Sequence, residues 1–288
     1  MTIDLPYPAA SPTRSHLSRD QVTYQDLPKL LDTITEDERH SAASTTTLDV
    51  LWVLYDQVLS VGPDRVDDPD RDRFILSKGH GPASYYAGLA AKGFIDPELL
   101  TGFGSSESPL GNHPDRLLIP GVEMSSGSLG HGLPIAVGIA LGLRIQGRSR
   151  PRVVCPLGDG ELDEGSNQEA IVLASRFGLS SLTAIVIDND SAALGWPGGV
   201  ATRFQVEGWH AETVGAHDHS DLTRRLVPNG RSHRGGPAGI ADHGVELPRP
   251  FLGRRVRFAG GAQLDHGCSG NPPVGPWRGA LPGGFSIF

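Results

Sequence analysis

Apolar side chains recur at three- and four-residue spacing twice near the start of the chain. Leu27, Leu30, Leu31 and Ile34 predict a short amphipathic helix over residues 26–35. Leu48, Leu51, Trp52, Leu54, Tyr55, Val58 and Leu59 predict a second over residues 46–59. This second set covers more than one face, so the helix is expected to be largely buried. A charged turn over residues 62–73 ends it. Phe74 and Ile75 predict a short strand, and the loop Ser77-Lys78-Gly79-His80-Gly81 leads into a helix that runs through Ala90 and stops at Gly93. A loop rich in Gly, Ser and Pro fills residues 102–121. Beyond it a helix over residues 132–146 carries Ala136, Gly138, Ala140 and Gly142, small residues expected to let its backbone pack closely.

The next unit is the most informative. Residues 151–157 read as a fully buried strand, Gly158-Asp159-Gly160 as a tight turn, residues 169–177 as a helix and residues 182–188 as a second buried strand. Strand, helix and strand within about 35 residues form a right-handed βαβ unit with parallel strands. The fold class is therefore α/β, a mostly parallel sheet flanked by helices, and such sheets bind ligands at the carboxyl ends of their strands. Asp159 directly follows one strand and Asn189 the other, so both arrive at the same sheet edge. A carboxylate and an amide oxygen, with further positions filled by phosphate oxygens and water, are what Mg²⁺ prefers. Gly158 and Gly160 flank Asp159 as a turn requires where backbone must come close to a ligand. Alone, Gly-Asp-Gly is equally well a plain turn. With Asn189 at the end of the next strand, a metal-diphosphate site is the favoured reading.

Charge and composition narrow the class. With 25 Lys and Arg against 33 Asp and Glu the chain carries a formal charge of -8, which argues against nucleic acid or an anionic membrane as partner. The apolar run over residues 133–143 is too short to span a bilayer. Residues 1–25 are polar and carry Pro and charge where a signal peptide needs an apolar core, predicting a loose arm, no export and a cytoplasmic protein. Of the two cysteines, Cys155 sits in a buried strand and no disulfide with Cys268 is expected. From residue 222 the character changes: the last 67 residues hold 14 Gly, 8 Pro, 9 Arg and no Lys. No helical or strand period is sustained there. Two readings stay open for this low-complexity tail over residues 222–288: a disordered segment, or a change of reading frame near residue 222.

Several segments stand in a recognisable order. Ser77-Lys78-Gly79-His80-Gly81, Gly111-Asn112-His113-Pro114, Ser126-Gly127-Ser128-Leu129-Gly130-His131-Gly132 and Gly158-Asp159-Gly160-Glu161-Leu162-Asp163-Glu164-Gly165, with Asn189 thirty residues after Asp159, resemble in order and spacing the N-terminal half of transketolases. The resemblance covers residues 27–220. It implies a domain over residues 26–221 that binds thiamine diphosphate and Mg²⁺, and an enzyme that transfers two-carbon ketol units between sugar phosphates. By the same resemblance Asp159, Asn189 and the backbone carbonyl of Ser191 complete the Mg²⁺ shell, and Gly158 and Gly160 lie at the diphosphate. Gly127 and Leu129 match positions lining the aminopyrimidine side, while His80 and His113 match histidines that face substrate. His40 stands nine residues before Asp49, as the family's first active-site histidine does before its helix acid, although the family's His-Pro-Gly is here His40-Ser41-Ala42. Imidazoles near neutral pKa suit the proton transfers of such chemistry.

The resemblance also implies a missing half. A glutamate on a pyrimidine-binding domain activates the cofactor in this family, and residues 222–288 offer no room for that domain. A partner polypeptide, the C-terminal transketolase subunit, would supply it in a dimeric or heterotetrameric assembly. The alternatives are a non-catalytic remnant that keeps the cofactor pocket and another thiamine-diphosphate enzyme of the deoxyxylulose-phosphate synthase type. Other residues take plainer readings. Lys78 is either a phosphate contact or a solvated cation, His131, His217 and His219 lack the spacing of a metal set, and Trp196, Phe204 and Trp209 are core.

Overall fold

The computed structural model describes residues 22–34, 42–79, 81–189, 191–215, 217–227 and 284–287. Most of the N-terminal arm, His40, His80, Cys268 and residues 228–283 of the tail lie outside them. Five strands form one sheet: β1 (Arg73–Phe74), β2 (Val153–Gly158), β3 (Leu182–Asp188), β4 (Glu212–Gly215) and β5 (Gly284–Ile287), in the order β1-β2-β3-β5-β4. β1, β2 and β3 run parallel, with Val153 opposite Leu182 and Gly158 opposite Ile187. β5 is antiparallel to both of its neighbours, so β4 runs in the same direction as β3.

The helices are α1 (Leu27–Asp32), α2 (Ala42–Val53), α3 (Ala83–Ala91), α4 (Gly132–Ile145), α5 (Gly165–Phe177), α6 (Gly199–Val206) and α7 (His219–Leu226). They cover the sheet on both faces because successive strand residues point to opposite sides. Val154, Ile185 and Ile187 pack with α1, α2, α3 and α7, whereas Val153, Cys155, Leu157, Ala184 and Val186 pack with α4, α5 and Phe204 of α6. Every residue of α3 is buried. α2 passes into a π-helical turn, Leu54–Val58, where Leu59 N–H reaches back to the Leu54 carbonyl at 2.7 Å. α5 stops where Gly178 turns into the left-handed region at φ +59°, its N–H closing on the Ala174 and Ser175 carbonyls. Among the described residues no helix is long and apolar enough to cross a membrane, and Cys155 is a buried free thiol.

The core βαβ unit follows the hydrophobic pattern closely, and the departures have physical causes. α2 begins at Ala42, ahead of the apolar periodicity, and α5 begins at Gly165 rather than at residue 169. β1 is Arg73–Phe74, although Ile75 N–H still pairs with the Val154 carbonyl at 2.9 Å. The packing role expected of Gly138 and Gly142 does not hold: a Cβ at either would meet nothing within 4 Å, whereas Ala136 and Ala140 are fully buried.

The domain edge at residue 221 and the tail need correction too. α7 runs through that boundary, capped by the Asp218 carboxylate on Asp221 N–H at 2.9 Å, and buries Leu222 and Leu226 four residues apart on one face. At the far end of the tail, expected to lack regular structure, β5 inserts between β3 and β4. Leu222→Ala is expected to destabilise the full chain by about 3 kcal/mol as a core truncation. Urea unfolding checks this, and a loss near zero would return residue 222 to an unpacked tail.

Candidate active site

The parallel register of β2 and β3 delivers their last residues to one edge, where Asp159 N–H donates to the Ile187 carbonyl at 3.1 Å. Asp159 is 2% exposed. Its Oδ2 accepts the N–H groups of Ser191 at 2.7 Å and Ala192 at 3.1 Å, and its Oδ1 accepts the Ser191 hydroxyl. The Ser191 hydroxyl in turn accepts Gly160 N–H at 3.3 Å. A Cβ on Gly160 would come within 3.0 Å of the Ser191 carbonyl oxygen, so glycine is needed for the loop to close on the turn. Asn189 Oδ1 is buried and, among the described residues, has no hydrogen-bond partner. A buried amide oxygen left unpaired is costly unless something binds it. Asp159, Asn189 and the Ser191 carbonyl thus form a set of hard oxygens at one edge, and they fit a divalent cation with its diphosphate.

Two glycine-rich loops close against each other beside this edge. His113 Nδ1 lies 2.9 Å from the Gly79 carbonyl. A Cβ on Gly127 would meet the His113 ring at 2.7 Å, and one on Gly79 would meet Gly127 N at 2.3 Å. Gly127 also holds φ +130°, which L side chains rarely adopt. The structure therefore gathers His113, Gly79 and Gly127 from three segments of the sequence. Leu129 stands in the same loop, half-buried, two residues before the exposed His131, whose Nδ1 lies 3.1 Å from the Leu129 carbonyl. His40 and His80, the other two expected histidines, lie outside the described residues.

Glu161 is a buried carboxylate beside this edge that the motifs alone do not single out. It is 2% exposed, and its carboxylate accepts the Ser77 hydroxyl, Gly130 N–H at 3.0 Å and Gly158 N–H at 3.3 Å. Ser77 Oγ in turn accepts Gly132 N–H at 3.1 Å. One carboxylate so ties the loop before α3 and the loop before α4 to the end of β2. Burial pushes its pKa up, opposed by the donors from Ser77, Gly130 and Gly158. Lys78 is buried rather than solvated, its ammonium donating to Thr47 Oγ1 at 2.7 Å. Burial lowers its pKa to about 8, against the pull of the Asp159 and Glu161 charges.

A second cluster stands off the end of β4. Asp49 of α2 is 4% exposed; its Oδ2 meets His217 Nδ1 at 2.9 Å and its Oδ1 meets His219 Nε2 at 2.6 Å. The Tyr24 ring packs edge-on to His219 at 4.6 Å, and burial together with Asp49 pushes its phenol well above the usual range. Gly215 and Asp188 both pair with Gly284, so the imidazoles leave the sheet at the edge that holds Asp159. Among the described residues no group of three His, Cys, Asp or Glu is arranged to hold a metal.

Residues 30–241 match the family model "Transketolase, thiamine diphosphate binding domain". The chain belongs to the transketolase family. "Ferredoxin fas2" of Rhodococcoides fascians is 54% identical over 220 residues, 76% of this chain and 71% of that protein. This chain has two cysteines, fewer than the four thiolates of a ferredoxin cluster. An apulose-4-phosphate transketolase subunit of Actinobacillus succinogenes is 35% identical over 203 residues, 67% of this chain and 73% of that protein. A solved transketolase from Leishmania mexicana aligns with a TM-score of 0.57 at 26% identity, covering 71% of this chain and 34% of that one. The chain thus spans about a third of that transketolase's length, and the α/β fold with its parallel core is the family's diphosphate-binding domain.

Two outcomes test this edge of the transketolase domain. Glu161→Ala is expected to cost about 3 kcal/mol in urea unfolding, because three donors lose a buried acceptor. Lys78 titrates at about 8 when folded against an ordinary 10.5, so in that window the unfolded chain binds more protons and this residue makes stability rise with pH. Lys78→Met is therefore expected to show a flatter stability profile than wild type between pH 8 and pH 10.5. An unchanged slope would place the ammonium in solvent.

Proposed function

We propose that the chain is the thiamine-diphosphate- and Mg²⁺-binding subunit of a two-subunit transketolase, cytoplasmic, and active in transferring two-carbon ketol units between sugar phosphates. The observation that carries this reading is the buried Asn189 Oδ1, unpartnered among the described residues, at the end of the strand next to the one that Asp159 follows, on a chain of this family. Asp159, Asn189 and Ser191 would hold the metal, and Gly158 and Gly160 leave the turn narrow enough for a diphosphate to approach its N–H groups. Thiamine diphosphate, when bound, stabilises the carbanion character that cleavage of a ketose requires. The chain's own residues position and move protons. His113, exposed and oriented by the Gly79 carbonyl, is placed to exchange protons with a sugar hydroxyl or carbonyl oxygen, with His80 and His40 assigned the same work. Gly127 and Leu129 would line the aminopyrimidine side.

A partner is part of the proposal. The chain spans about a third of a solved transketolase, and a relative of comparable extent is named as one subunit of a transketolase rather than as the whole enzyme. The pyrimidine-binding domain would come from a C-terminal subunit, completing the site in a dimeric or heterotetrameric assembly.

Asp159→Ala is expected to abolish the thermal stabilisation of the chain by Mg²⁺ with thiamine diphosphate, and to reduce ketose-phosphate consumption by the reconstituted pair at least a hundredfold, on the order of the loss of a metal ligand's support. Stabilisation that survives the substitution would remove Asp159 from the ligand set.

A further inference from the structure

The exposed apolar side chains are unevenly spread over the surface. Among the described residues, every large one left exposed lies on α4, α5, α6 or a loop, and the layer of α1, α2, α3 and α7 exposes none. A concentration of this kind marks a surface that meets protein. α4 and α5 form its centre. They run side by side in one direction, the Ser166 hydroxyl donating to the Gly130 carbonyl at 2.6 Å at one end and the Arg144 guanidinium to the Phe177 carbonyl at the other. Ile135 and Ile145 of α4 are exposed, as are Leu173 and Phe177 of α5. The outer stripe of α4 is also symmetric about Ala140, which is fully buried. Gly138 and Gly142 stand two residues to either side of it, and Ile135 and Ile145 five. At 3.6 residues per turn these four share an arc of about 80° on the face opposite Ala140, and no other residue of the helix falls in it. A Cβ on either glycine would meet nothing within 4 Å. Glycine weakens a helix interior relative to alanine, and what it offers in return is a surface that a second helix can approach closely.

We propose that this face joins two copies of the chain, α4 packing antiparallel against α4 of the second copy across a two-fold axis at the level of Ala140. Because the stripe reads alike in both directions, that axis sets Gly138 against Gly142 of the second copy and Ile135 against Ile145 of the second copy. Isoleucines then pack around a groove of glycines, and such a self-complementary patch is what an isologous contact requires. Charge agrees with this orientation. The exposed Glu164 and Glu169 stand toward the N-terminal end of α5, and the exposed Arg144 and Arg176 toward the C-terminal ends of α4 and α5. Antiparallel packing brings the acidic end of each copy to the basic end of the other, whereas parallel packing would bring like charges together. The inference rests on this face alone and not on the proposed cofactor site.

The test is sedimentation equilibrium of the full chain over a concentration series, with neither cofactor nor another subunit present. Wild type is expected to reach the mass of two chains. Gly138→Leu, Ile135→Glu and Ile145→Arg are each expected to weaken dimerisation at least about tenfold, by blocking the close approach or by burying a charge without a partner. Ile135→Glu and Ile145→Arg placed together in one chain are expected to restore most of the dimer, because the new carboxylate of each copy meets the new guanidinium of the other. Ten residues apart on one helix, these two positions are about 15 Å apart along its axis and cannot pair within a chain. Urea unfolding at concentrations where wild type is dissociated is expected to show no loss of stability in any variant, since all three sites face outward. A wild type that stays monomeric overturns the proposal and leaves the face to a different protein. A dimer that the single variants leave intact overturns it by placing the contact elsewhere. Weakening without rescue in the double variant overturns the antiparallel two-fold pairing.

Discussion

The parallel ladder between β2 and β3 is the constraint from which the site's geometry follows. Six consecutive pairs, Val153 with Leu182 through Gly158 with Ile187, fix how far each strand reaches toward the ligand edge. Both faces of this pair are buried under helices, so a one-residue slip would turn Val154 and Ile185 out of one core and Cys155 and Val186 out of the other. Two cores enforce one register. That register sets Asp159 N–H against the Ile187 carbonyl, just past the Gly158–Ile187 pair, and Ser191 N–H returns to the Asp159 carboxylate. Packing on both faces thereby fixes where the two strand ends stand, and the Asp159 carboxylate holds the following loop to them.

Two carboxylates two residues apart then take opposite roles. Asp159 follows β2 and turns toward a loop, accepting the Ser191 and Ala192 N–H groups. Glu161 turns inward, where Ser77, Gly130 and Gly158 are its partners. Its removal would loosen three segments at once, which makes it a structural counterpart of the more visible aspartate. Lys78, close to both charges and itself buried, reduces the cost of holding two carboxylates under the surface. The same ammonium leaves positive charge beside the edge where an anionic ligand is proposed to sit.

Much of this is legible in the sequence because continuous apolar runs mark buried parallel strands. The limits of β3 and the turn at Asp159 follow from residues 151–188 alone. β4 is not legible: Glu212, Thr213, Val214 and Gly215 include a single buried residue, Val214, which gives no alternation to detect. β5, distant in sequence, owes its existence to an unpaired edge of β3 rather than to a local pattern. At the site, glycine spacing draws attention to Gly127 and Gly160, positions where a Cβ would crowd a neighbouring loop, while a buried carboxylate such as Glu161 has no signature of its own. The spacing of His217 and His219 does not suit a metal, so it gives no hint of their pairing. A signal is nonetheless present in Asp49, an acid inside the apolar set of α2 that must find donors when buried. Its partners lie some 170 residues away, beyond what local pattern can show.

That long-range contact makes the edge uneven in how firmly it is built. Asp159 and Asn189 rest on β2 and β3, whose cores close on both sides. His217 lies in the turn after β4 and His219 opens α7, while β4 itself has four residues and, among the described residues, pairs with β5. A short edge strand of this kind does not fix a side chain's position by its ladder. The second anchor is α7, whose Leu222 and Leu226 enter the core beside α2 and whose Thr223 hydroxyl reaches Gln57 at 2.8 Å. Asp49 completes the arrangement from α2 itself, so the two imidazoles are held by the helix layer more than by the sheet. A shift of α7 against α2 would move these histidines while leaving Asp159 and Asn189 in place. The proposed cofactor site uses the half of this edge that β2 and β3 carry, and the other half presents His217, 81% exposed at its side chain, to solvent.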